Sequence, residues 1–142
     1  MSIVVDTSVW SLALRRRRGS TEPEARELGD LIREGRASII GPIRQELLSG
    51  VPAQAQYETL REYLRPFPDL ELLVGDYEEA AAFFNRCRAR GIQGSNTDFL
   101  ICAVAVRRKF AILTTDDDFS HFARVLPIQL HSPRKVRAGQ RP

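Results

Sequence analysis

Short β-branched runs alternate along the chain with longer stretches in which apolar residues recur every three or four positions. Ile3-Val4-Val5 has the pattern of a buried strand and ends at Asp6 and Thr7. Residues 8–14 read as a short helix, closed by the arginine run 15–18 and Gly19, since cations suit the negative end of a helix. Thr21-Glu22-Pro23-Glu24 has capping-box spacing and predicts a helix to about Glu34, stopped by Gly35. Ala37-Ser38-Ile39-Ile40 predicts a second strand, which Gly41-Pro42 turns into a helix over 43–48. Helical spacing returns over 52–64, and 70–74 is a weaker strand pattern. Residues 76–90 predict an amphipathic helix with Tyr77, Ala80, Ala81, Phe84 and Cys87 on its apolar stripe.

Ser95 or Asn96 caps the next helix, whose interior from Phe99 to Val106 is apolar on all sides, as in a helix buried on several faces. Ala111-Ile112-Leu113-Thr114 predicts a strand, an acidic turn and a short helix near 119–123 follow, and Pro127-Ile128-Gln129-Leu130 predicts a last strand. Strands alternating with helices predict an α/β fold whose parallel sheet is covered on both faces. The expected organisation is one domain over 1–133 and a flexible basic tail over 134–142, which has no apolar anchor.

Composition narrows this picture. At 142 residues, 43% hydrophobic and 27% charged, the chain suits one globular domain and excludes disordered, collagenous and membrane classes. The net charge of +3 is uneven: without Arg134, Lys135, Arg137 and Arg141, 17 Lys+Arg face 18 Asp+Glu, which excludes a uniformly basic binding surface. Cys87 and Cys102 have no CxxC or histidine partner spacing and read as reduced, buried thiols. The N-terminus lacks a basic region and a long apolar run, so the expectation is a soluble, cytoplasmic protein.

Ligand chemistry in such folds gathers beyond the carboxyl ends of the strands. Asp6 ends the first strand, Glu46 lies a turn into the helix after the second, Asp98 opens the apolar helix, and Asp116, Asp117 and Asp118 follow the 111–114 strand. Carboxylates crowded at one sheet edge repel unless a cation neutralises them, and an all-oxygen set suits Mg²⁺ or Mn²⁺ over Zn²⁺. Such an ion activates water toward phosphodiesters. Each acid also has a structural reading: Asp98 and Asp118 complete capping boxes, Asp6 caps the following helix, and Glu46 is a solvent-facing residue. The paired set carries the functional reading; no single acid does.

Val5-Asp6-Thr7-Ser8, Glu46 in Arg44-Gln45-Glu46-Leu47, Asn96-Thr97-Asp98-Phe99 and Leu113-Thr114-Thr115-Asp116-Asp117-Asp118-Phe119, in that order, resemble the motifs of PIN-domain ribonucleases, specifically VapC-type toxins. The resemblance spans residues 1 to about 132. It implies a three-layer α/β/α sandwich around a mostly parallel sheet of 4–5 strands, and cleavage of RNA with Mg²⁺ or Mn²⁺. Asp6, Glu46, Asp98 and Asp116 match the acidic quartet, Asp118 matches a further carboxylate, and Thr7 and Thr115 match supporting hydroxyl positions. By the same resemblance Asp6, Asp98 and Asp116 bind the ion or its waters, while Glu46 binds a second ion or orients water. A VapB-like protein antitoxin and a homodimer are the expected partners.

Arginines 15–18 and Arg44 are candidate RNA-backbone contacts, and Trp10 belongs either to a partner surface or to the core. His121 and His131 read as surface or packing residues. Alternatives are a PIN nuclease of RNA processing or decay, and a non-catalytic RNA-binding module suggested by Gly91-Ile92-Gln93-Gly94, which is similar to a KH-type loop. A receiver-like phosphoacceptor domain is disfavoured, because Asp6 stands alone and Lys109 precedes its strand.

Overall fold

The computed structural model describes residues 1–15 and 22–135. Its elements are β1 (Ile3–Val5), α1 (Thr7–Arg15), α2 (Pro23–Arg33), β2 (Ala37–Ser38), α3 (Gly41–Leu48), α4 (Gln54–Leu64), α5 (Val74–Arg88), α6 (Asn96–Arg108), β3 (Ala111–Leu113) and α7 (Asp118–Phe122). The sheet is parallel in the order β2-β1-β3, with Ile3 opposite both Ala37 and Ala111. Strand β1 is central and fully buried, so Ile3, Val4 and Val5 carry no polar side chain. Helix α1 packs on α2 and α3, and α3 on α4; α5 packs on α6, which lies against β1 and β3. This is the expected α/β architecture. No helix among the described residues is long and apolar enough to cross a membrane.

Two expected strands shrink to single parallel bridges, Ile39 with Asp69 and Ile112 with Leu130. They flank the sheet where fourth and fifth strands were expected. Proline at positions 66, 68 and 127 denies these segments ladder donors. The apolar stripe of α5 is also rotated from the expected one. Ala80, Phe83 and Cys87 are buried, whereas Tyr77 is 54% exposed and Ala81 is on the surface. Helix α5 buries Asp76 as well, and this polar anchor turns the helix. The Asp76 carboxylate accepts hydrogen bonds from Arg107, Arg108 and the backbone N–H of Leu73.

Arg134, expected at the start of a loose tail, is instead a clasp. Its guanidinium binds the buried Glu27 of α2 at 2.9 Å and exposed Glu34 at 2.7 Å, while His131 Nε2 lies 2.7 Å from Glu27. Charge pairing replaces the missing apolar anchor. The arginines 16–18, Gly19, Thr21 with its expected capping box, and Arg137 and Arg141 lie outside the described residues, as does the side chain of Arg15. Glu22 forms the N-cap of α2 with no side-chain cap bond.

These pairs make the fold acid-sensitive. The arginines hold the Asp76 carboxyl down at about 2, and Arg134 and His131 outweigh burial to lower Glu27. Depressed carboxyl groups stabilise fully above their unfolded pKa near 4, and that contribution is lost as pH falls toward the folded value. In denaturant titrations the stability difference between wild type and Asp76→Asn should be constant from about pH 7 to 5 and shrink between about pH 4 and 2. A difference that grows as pH falls through that window would contradict the assignment.

Candidate active site

The four expected acids are carried to the carboxyl edge of the sheet by different elements. Asp6 follows β1; its N–H donates to Leu113 O at 2.9 Å, and its carbonyl accepts the N–H groups of Val9 and Trp10 in the first turn of α1. Its side chain is 4% exposed, and Oδ2 accepts Ser8 Oγ at 2.7 Å and Thr114 Oγ1 at 2.8 Å. Burial nevertheless wins over these bonds and raises the Asp6 pKa.

Asp98 is the third residue of α6 and forms the capping box anticipated from its spacing. Oδ2 accepts Ser95 N–H at 3.1 Å, and Ser95 Oγ accepts Asp98 N–H at 3.0 Å. The cap and the functional reading are compatible. Burial raises the Asp98 pKa, and repulsion from Asp6 and Asp116 raises it further. Asp6 and Asp116, 110 positions apart in sequence, thus both lie close enough to Asp98 to oppose its ionisation. Asp116 enters from the turn after β3, its N–H bound to Thr114 Oγ1 at 2.9 Å.

Glu46 is exposed on α3, where Oε1 accepts Thr7 Oγ1 at 2.7 Å. That bond draws Glu46 to the residue beside Asp6. Asp118 joins the group differently: its backbone N–H donates to Asp116 Oδ1 at 2.9 Å, and the expected capping box over 115–118 does not form. Its own carboxylate is exposed. Thr115 contributes its backbone N–H, to Ser8 Oγ at 3.1 Å. The supporting hydroxyls at Asp6 are therefore those of Ser8 and Thr114, which motif matching passed over. Serine two residues after an acid has turn-forming spacing, and that signal was available.

Several other expectations resolve. Arg44 is a strut, bound to Asp69 at 3.0 Å and to the carbonyls of Leu64 and Phe67, so its cationic head is spent inside the fold. Trp10 is fully buried against Phe67, which removes it from any partner surface. Gly91 has φ +77° and ends α5, while Gly94 faces the rings of Phe122 and Phe99 with no room for a Cβ. Both glycines serve turn and packing, which overturns the KH-like reading. Lys109 caps the end of α6 before β3, at the opposite edge from the acids, and so opposes the receiver-like reading. Cys102 lies one helical turn below Asp98, buried, its thiol pushed up by burial and by Asp98 and Asp6, so it is no nucleophile. His131 is engaged with Glu27.

A cavity of about 510 Å³ opens beside Asp116 and is rimmed by Thr114, Thr115, Asp117, Glu22 and Glu24. Another, about 530 Å³ and apolar, runs between α5 and α6 past Tyr77, Phe84 and Thr97. Among the described residues, no three His, Cys, Asp or Glu side chains converge into a finished metal cage. The donor chemistry still fits a divalent hard cation. Every donor is oxygen, and the repulsion that Asp98 meets from Asp6 and Asp116 is what such an ion would relieve.

The PIN domain family model matches residues 3–125. The VapC ribonuclease Mb1587 of Mycobacterium bovis is 32% identical over 135 residues, covering 93% of this chain and 99% of that protein. Among solved structures, FitAcB from Neisseria gonorrhoeae superposes with a TM-score of 0.72 at 21% identity, covering 92% of this chain and 97% of that one. VapBC-5 from Mycobacterium tuberculosis, a member of the VapBC family of toxin–antitoxin systems, gives 0.67 at 21% identity over 91% of this chain and 96% of that one.

Proposed function

The chain belongs to the PIN-domain family, and from that premise we propose that it is an endoribonuclease, the toxin of a VapBC-like toxin–antitoxin pair, using Mg²⁺ or Mn²⁺. The observation that carries this reading is the delivery of Asp6, Asp98 and Asp116 by three separate elements to the carboxyl edge of a parallel sheet, with Asp6 nearly buried there. Asp6, Asp98 and Asp116 would hold the ion or its waters, Glu46 would bind a second ion or orient water, and Asp118 would be a further ligand. When bound, a divalent ion lowers the pKa of its water and stabilises charge on phosphoryl oxygens.

The protein's own groups supply placement. Ser8 and Thr114 orient Asp6, the Ser95 cap orients Asp98, and Thr7 holds Glu46. Glu46, exposed and hydrogen-bonded through one oxygen, keeps the other for a water or an ion. His131 is engaged with Glu27 and the buried Cys102 thiol is pushed up, so neither serves as base or nucleophile.

The partners belong to the same reading: an RNA substrate, a VapB-like antitoxin and a second copy of the chain. Leu73, just before α5, and Val74 and Tyr77 in its first turn are exposed apolar residues, Tyr77 lining the 530 Å³ groove, and they support the homodimer. The test is cleavage of RNA by purified protein with added Mg²⁺ or Mn²⁺. Cleavage should stop with EDTA and return when the ion is restored. Cleavage indifferent to EDTA would end the metal-dependent reading.

A further inference from the structure

We propose that Ser8 and Thr114 are positioning residues that act as a pair: their hydroxyls hold the Asp6 carboxylate and, through the same two oxygens, fasten the Asp116 turn to it. The inference rests on the divalent-cation reading above. Proton counting settles the direction of every bond. The N–H groups of Thr115 and Asp116 can only donate, and they do so to Ser8 Oγ at 3.1 Å and Thr114 Oγ1 at 2.9 Å. Each hydroxyl has one proton, and each sends it to Asp6 Oδ2, at 2.7 and 2.8 Å. The two oxygens lie 3.4 Å apart with both protons already used. Two parallel relays, backbone N–H to hydroxyl to carboxylate, thereby join β1's end to the turn after β3, across 107 and 108 positions.

These relays begin where the sheet ends. The β1–β3 register is already held by the main-chain ladder from Ile3 to Val5 and by the Asp6 N–H bond to Leu113. The hydroxyls are not needed to align the strands. Their distinct effect is on the acids: they fix the rotamer of a 4% exposed carboxylate and set the distance between Asp6 and Asp116. Outer contacts of this kind commonly govern cation affinity.

Full-length wild type, Ser8→Ala, Thr114→Val and Thr114→Ser would be titrated with Mn²⁺, reading free ion by electron paramagnetic resonance. Thermal melts in EDTA would report the fold. Ser8→Ala and Thr114→Val should each weaken Mn²⁺ binding by about 10- to 100-fold. Their melting temperatures in EDTA should remain within a few degrees of wild type, and Thr114→Ser, which keeps the hydroxyl, should bind like wild type. Unchanged binding in Ser8→Ala and Thr114→Val overturns the proposal, as does equal weakening in Thr114→Ser. Unfolding of both Ser8→Ala and Thr114→Val in EDTA overturns it too, by making the hydroxyls structural. A wild type that binds no Mn²⁺ defeats the cation reading itself, whereas a wild type that binds alongside unaffected variants defeats this inference alone.

Discussion

Asp6→Asn should lower RNA cleavage by about 10³-fold or more, as removal of a central catalytic group does elsewhere, while leaving the protein at least as stable without metal. Both halves follow from one fact. Asp6 is nearly buried, and burial raises its pKa, so the ionised form is held against the preference of its surroundings. Asparagine keeps the shape and an acceptor for Ser8 and Thr114, removes the buried charge, and relieves the repulsion that raises Asp98. Melting in EDTA should therefore show an unchanged or higher transition, with cleavage abolished at any Mg²⁺ concentration. This separation of stability from activity is the mark of charges kept for function. Retained cleavage by Asp6→Asn would remove Asp6 from the site.

The largest loss of stability should come from Phe99→Ala. Phe99 is 1% exposed, and its ring meets Phe84 at 5.5 Å and Phe122 at 4.8 Å, with Phe119 completing the stack. Truncating such a side chain costs about 3–5 kcal/mol, lowering the melting temperature by about 10 °C. The cavity would open beneath both Asp98 and the turn leading to α7, so weaker cation binding should accompany the loss. Phe99→Leu keeps most of the volume and should cost under about 1.5 kcal/mol. Urea unfolding of the two variants checks this, and a Phe99→Ala cost below about 1 kcal/mol would show that the rings do not share a core.

The framework of this fold was legible because its strongest patterns are local. Ile3-Val4-Val5 and Ala111-Ile112-Leu113 carry no polar residue, and the α6 interior is apolar all round, so strand and helix were readable. Asp6, Asp98 and Asp116 were legible because each sits at the end of such an element, and Glu46 because it lies a turn into the helix after the second strand. What escaped the sequence depends on pairing across the chain. Asp76 with Arg107 and Arg108, and Glu27 with Arg134, are buried only because a distant cation arrives. Nothing beside those acids announces it. The rotation of α5 follows from the first of these pairs. Ser8 and Thr114 were missed for a related reason: a hydroxyl shows its purpose only when its partner, over a hundred residues away, is in place.

That separation also has a consequence in time. Strand β1 opens the chain and its neighbour β3 is residues 111–113, so the pairing of Ile3 with Ala111 is among the most non-local contacts the fold can make. Contacts of this kind form late, after local helices have condensed. A nascent chain translated through Lys109 already contains Asp6, Glu46 and Asp98, yet lacks the strand beside Asp6, the Thr114 hydroxyl and Asp116. Asp6 and Asp116 lie 110 positions apart, so the acids meet only after β3 has been made. Assembly of the candidate site then waits on one late strand.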